Sequence, residues 1–161
     1  MRRFDTRVLS PVAVALAAAA IVSASPAYAE LGAAPTWQPA STTNTRMTQR
    51  INAAAVLFRV NETTLPSGTV VREYVGTNGT VFAIAWQGPQ MAPLNTLLGT
   101  YFPAYVQGLA TAHAAQHNGY GPATVQQSNL VVQTGGHMGS FTGRAWLPLA
   151  VPAGFNPDDI Q

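Results

Sequence analysis

Between Val56 and Trp86 the chain passes through three short stretches rich in β-branched and aromatic residues, VLFRVNET, TVVREYV and TVFAIAW, separated by LPSG and GTNG. Runs of this length bounded by Pro, Gly and Asn read as strands joined by tight reversals. Asn78–Gly79 suits a two-residue hairpin turn, whose central positions need positive φ, and Pro66 with Gly68 supplies the other reversal. A three-strand antiparallel meander is thus the element around which the rest must be placed.

Pro93 then opens a helical segment in which Leu94, Leu97, Leu98, Tyr101, Tyr105, Leu109 and Ala112 recur at three- and four-residue spacing, one stripe facing a core. Gly99 and Pro103 interrupt it, and because Pro103 has no N–H to donate, a kink or a break is expected near Phe102. NGYGP at 118–122 ends the helix, and ATVQQ, NLVVQT and FTGRAWL follow as further strand candidates. The expected fold is α+β: an antiparallel sheet of five or six strands with the kinked helix, Pro93 to about His117, packed on one face.

Side-chain alternation extends this reading to the faces of the sheet. Hairpin loops of two and four residues would put Phe58, Val60, Val71, Glu73, Val75, Phe82, Ile84 and Trp86 on a core face beneath the helix. An even-length GGHMGS loop would add Leu130, Val132, Phe141, Ala145 and Leu147. Arg59, Asn61, Arg72, Tyr74, Ala83, Ala85, Arg144 and Trp146 would then share the outer face.

Composition narrows the chemistry. None of the 161 residues is a cysteine, which excludes a disulfide framework, a cysteine nucleophile and a thiolate zinc site. Residues 1–29 have a basic start (Arg2, Arg3, Arg7), an apolar stretch from Val8 to Val22, and AYA before Glu30, the pattern of a secretory signal cleaved after Ala29. Asp5 close behind Arg2 and Arg3 favours general secretion over twin-arginine export. Cleavage removes three of eight arginines and one of six acids, leaving five of each. The pI of about 9.4 therefore belongs to the uncleaved chain and is no argument for nucleic-acid binding. No apolar run after Ala29 reaches the roughly 20 residues a membrane helix needs, so a periplasmic or secreted location without stable membrane insertion is expected. Residues 30–54, rich in Ala, Thr, Pro and Asn, read as a flexible lead to a single domain at 55–161.

Three features invite a chemical reading. HAAQH at His113–His117 has the i, i+4 spacing of a zinc-peptidase helix, but Ala114 stands where the general-base Glu is required, so no metal site is expected. GGHMGSFTG groups His137 with Ser140, yet it is neither a GxSxG elbow nor a phosphate loop, and reads as a hairpin whose tip, His137, is a candidate ligand contact. Glu73 falls on the apolar face, where a buried carboxylate needs a partner; Tyr101 and Tyr105 are the candidate donors.

The segments ETTLPSGTVVREYV, GTVFAIAWQGP, LLGTYFPAYV, LVVQTGGHMGSFTGRAWLP and the ending DDIQ resemble a family of small secreted proteobacterial proteins, the domain of unknown function numbered 2844. The resemblance spans Glu62 to Gln161, implies one domain there, and brings no activity, cofactor or catalytic residue. The residues themselves lead to the expectation of a non-catalytic envelope or secreted interaction module with no cofactor. Its outer face, bearing Arg59, Arg72, Tyr74, Arg144 and Trp146, would meet an anionic polysaccharide or an envelope protein, because guanidinium is the only fixed positive charge in a chain without lysine. The alternative is a small periplasmic hydrolase using Glu73 or His137, which needs a nucleophile or an acid–base pair near one of them and would be supported by proximity of the two side chains in a concave site.

Overall fold

In a computed structural model of the chain, residues 30–35, 45–52, 54–116 and 121–161 are described, and the proposed signal segment lies outside them. Their elements are β1 (Thr45–Ile51), β2 (Leu57–Thr64), β3 (Val70–Val75), β4 (Val81–Gly88), α1 (Leu94–Leu98), a 3-10 turn at Gly99–Tyr101, α2 (Phe102–Gln116), β5 (Ala123–Gln126), β6 (Val131–His137), β7 (Ser140–Trp146) and a 3-10 turn at Pro157–Asp159. The strands form one antiparallel sheet in the order β1-β2-β3-β4-β7-β6-β5. The architecture is α+β, with seven strands rather than five or six.

The seventh strand comes from the stretch read as a flexible lead. Thr45–Ile51 pairs with β2 from Thr45↔Thr63 to Ile51↔Leu57 and forms one edge of the sheet. Upstream, Leu31 is buried, its amide donates to the Leu97 carbonyl at 3.1 Å, and the Ala33 carbonyl accepts from the Val81 amide at 2.8 Å. The lead is therefore docked at both described parts. An edge strand buries little, so its sequence lacks the apolar alternation that marks the inner strands.

The helical segment breaks where expected. α1 stops at Leu98, Gly99 takes φ +48°, and α2 starts at Phe102, which leaves Pro103 in the first turn, where a missing N–H costs no hydrogen bond. Leu97, Leu98 and Tyr105 pack on Val71, Val75, Ile84, Trp86, Leu130, Val132, Ala145 and Leu147. Gly108 permits the closest approach of α2 to β5, since a Cβ there would overlap the Val125 side chain.

Two features of the chain correct the expected register. The reversal after β2 spans five residues, 65–69, because Thr64 pairs with Val70, so Val60 stands opposite Tyr74 rather than beside Val71. In β4, Val75 pairs with Val81 and Tyr74 with Ala83, leaving Phe82 as an extra residue at a bulge. One additional residue reverses side-chain parity. Phe58, Val60 and Phe82 therefore lie on the side away from the helix, in a second core with Tyr74, Ala83, Ala85, Phe155 and Ile160. Trp86 and Ile84 remain under the helix, and the two-residue turn at Met138–Gly139 places Leu130, Val132, Ala145 and Leu147 with them as expected.

Tyr105 gives this packing a pH signature. Burial raises its phenol above the ordinary 10.0, against a smaller opposing effect of the Thr134 hydrogen bond. The unfolded chain then releases this proton first, so its contribution is complete below about pH 10 and is lost as pH rises toward the folded value. Urea unfolding at about pH 8 and about pH 11 is expected to show a lower midpoint at the higher pH, with a smaller drop in Tyr105→Phe.

Candidate functional site

On the side of the sheet away from the helix, cross-strand pairing aligns Arg46 of β1, Glu62 of β2, Arg72 of β3, Ala85 of β4, Arg144 of β7 and Gln133 of β6 in one transverse row. The adjacent row runs Thr48, Val60, Tyr74, Ala83, Trp146 and Val131. Arg50 flanks these rows opposite Phe58. Four arginines thus share this side. Arg72, Tyr74, Arg144 and Trp146 are brought together as expected, but Arg59 stands opposite Val75 and belongs to the other side, displaced by the five-residue reversal.

This side is not the solvated face expected. The closing segment, residues 147–161, crosses it, and Phe155 packs edge-on against Phe58 (5.1 Å between ring centres) and Phe82 (4.9 Å). Tyr74, expected outside, is only 4% exposed. Its hydroxyl donates to the Gln161 carbonyl and accepts from the Gln161 amide, both at 3.0 Å. Arg72 donates to Glu62 at 2.7 Å and to the Gln161 carbonyl at 3.2 Å. Arg144 lies 5.5 Å from the Trp146 ring centre and donates to Gln133 (2.7 Å), the Pro157 carbonyl (3.0 Å) and Asp158 (3.3 Å). Both guanidinium groups therefore spend their directional hydrogen bonds inside the fold, pinning the closing segment.

Tyr74→Phe removes both Gln161 contacts, which takes away the acceptor of the Gln161 amide and leaves its carbonyl with the Arg72 guanidinium. The expected cost is about 1–2 kcal/mol, with faster amide exchange confined to 155–161. Exchange measured across the whole chain checks that localisation.

What stays open is a groove of about 840 Å³ beside the closing segment. Its lining includes Arg50, Ile51, Asn52 and Glu62 on the β1–β2 side, Asp159 and Gln161 of the closing segment, and Phe58, Val60, Arg72 and Tyr74 of the sheet. A smaller hollow lined by Arg46, Thr48, Arg50, Val60 and Glu62 continues it along β1. Arg46 and Arg50 are exposed, and their side chains make no ion pair or hydrogen bond among the described residues. These two were missed because they lie in the stretch read as a lead; the signal was the alternation of Arg46, Thr48 and Arg50 with Met47, Gln49 and Ile51.

The residues considered for catalysis do not converge. Glu73 is fully buried in β3 between Asn61 and Ile84. His137 is exposed at the β6–β7 turn, where its Nδ1 lies 3.0 Å from the Met138 carbonyl oxygen. Ala145 of β7 is the cross-strand neighbour of Ile84, and five residues of extended chain separate it from Ser140, the partner of His137. That interval alone is about 17 Å at the rise of a strand. Tyr105, one donor proposed for Glu73, is engaged by Thr134. His117 lies outside the described residues, among which no three His, Asp or Glu side chains group as a metal site.

A family model described as "Protein of unknown function (DUF2844)" matches residues 27–160, reaching well upstream of the segments that carry the sequence resemblance. No curated protein and no solved structure matches the chain.

Proposed function

We propose that this chain, which belongs to the family of proteins of unknown function DUF2844, is a non-catalytic interaction module that binds an anionic partner along the arginine-bearing side of its sheet. The observation that carries the reading is the pair Arg46 and Arg50, exposed on one side of an edge strand, without ionic partners among the described residues, and bordering an open groove. Arg72 and Arg144, the residues first expected to make such contacts, instead hold the closing segment that walls the groove. Guanidinium groups suit this role because they stay charged and bind carboxylate in a two-point geometry. The separation of Glu73 and His137 leaves the alternative of a hydrolase using either residue without the pairing that would have supported it. Export by the segment 1–29, with cleavage after Ala29, would place the module in the periplasm or outside the cell, facing acidic polysaccharides and envelope proteins.

The test compares the chain from Glu30 onward with its Arg46→Ala plus Arg50→Ala variant, binding a uronic-acid oligosaccharide and an acidic peptide. An exposed ionic contact contributes up to about 1 kcal/mol, so the double substitution is expected to weaken binding about tenfold at low salt. High salt should bring wild type and variant together. Equal affinities at low salt, or binding by neither ligand, would overturn the reading.

A further inference from the structure

The same two arginines sit on an edge that offers backbone as well as charge. β1 ends the sheet, and no strand pairs with its outer side among the described residues. The Asn52 amide donates to the Val56 carbonyl, so the alternation of an antiparallel ladder turns the even-numbered β1 residues toward β2. The N–H and C=O groups of Met47, Gln49 and Ile51 then face outward. Side chains alternate in the other sense: Arg46, Thr48 and Arg50 lie on the groove side, while Met47 and Ile51, the latter 68% exposed, lie on the other.

Resting on the interaction-module reading, we propose that the outer edge of β1 takes up an extended polypeptide segment as an eighth strand, with acidic residues opposite Arg46 and Arg50 and apolar residues opposite Met47 and Ile51. Backbone pairing at a free edge supplies attraction, and alternate side chains supply selectivity. In an antiparallel partner the order is apolar, acidic, polar, β-branched, apolar, acidic. The two arginines lie about 14 Å apart along the strand, a separation that an extended chain matches residue for residue.

The same charges argue against a second copy of this chain. Pairing two β1 strands about a two-fold axis at Thr48 sets Arg46 against Arg50 twice, and like charges directly opposite each other destabilise a sheet. In that register the edge disfavours its own copy, whereas an acidic strand meets both arginines favourably.

The probes are a synthetic peptide carrying this pattern, its lysine-for-acid counterpart and a uronic-acid oligosaccharide, each titrated into the chain from Glu30 onward. Wild type is expected to bind the acidic peptide with new exchange protection at the Met47, Gln49 and Ile51 amides. Arg46→Glu plus Arg50→Glu should weaken that binding more than tenfold and gain the lysine peptide. Gln49→Pro, exposed and lacking only an outward N–H, should weaken the acidic peptide and leave any oligosaccharide binding unchanged. Arginine-dependent binding of the oligosaccharide alone overturns the added strand while the interaction-module reading stands. Binding of no probe overturns both. Sedimentation showing a dimer abolished by Gln49→Pro overturns the acidic partner in favour of a second copy.

Discussion

Phe155→Ala is expected to lower the stability of the folded chain by about 3–5 kcal/mol, the range for deleting a buried aromatic ring. Phe155 is the main apolar anchor of the closing segment and touches Phe58, Tyr74 and Phe82, the last two at 6.1 and 4.9 Å between ring centres. Without it, the polar latches of Tyr74, Arg72 and Arg144 hold a segment whose remaining buried side chain in the second core is Ile160. Water would then reach the second core, and the groove would lose the wall formed by Asp159 and Gln161. Denaturant unfolding measures the stability loss, and limited proteolysis should show cleavage appearing within 148–161. A loss below about 1 kcal/mol would show that the rings contribute little beyond surface contact.

Gly143→Val is expected to cost about 2–4 kcal/mol through overpacking on the opposite side of the sheet. Gly143 of β7 stands directly across from Trp86 of β4, and the indole lies over the bare backbone. A Cβ there would come within 2.5 Å of Trp86 Cε2 and 2.7 Å of the Gln133 carbonyl oxygen. Trp86 is buried and so has no solvent-filled space into which to retreat. The melting temperature should fall and the indole near-ultraviolet dichroism should change. Combining Gly143→Val with Trp86→Leu should cost less than the sum of the two single substitutions, because the smaller side chain relieves the overlap. Additive losses would locate the strain in the backbone instead.

The inner strands, the broken helix and the tight turn after β6 were legible because each rests on local signals: alternation, three- and four-residue spacing, and Gly or Pro where the backbone needs it. The side assigned to Phe58, Val60, Phe82 and Tyr74 was not legible. It turned on a five-residue reversal and a bulge at Phe82, each adding one residue that no local propensity announces. Arg59 left the proposed binding group by this parity change, and Arg46 and Arg50 entered it through an edge strand whose two large apolar residues, Met47 and Ile51, stay exposed and mark it only weakly.

By itself the sequence determined the α+β class, the antiparallel meander, the helix and its break, and the burial of Trp86 and Glu73, all of which follow from periodicity along the chain. Only the tertiary structure decided which arginines remain available. Arg72 and Arg144 have the same intrinsic chemistry as Arg46 and Arg50, but residues 147–161 fold back across the sheet and supply the former pair with carbonyl and carboxylate partners. Such partners lie up to 89 residues away along the chain. Whether a charge is spent inside the fold or left for a ligand depends on what packs against it through space.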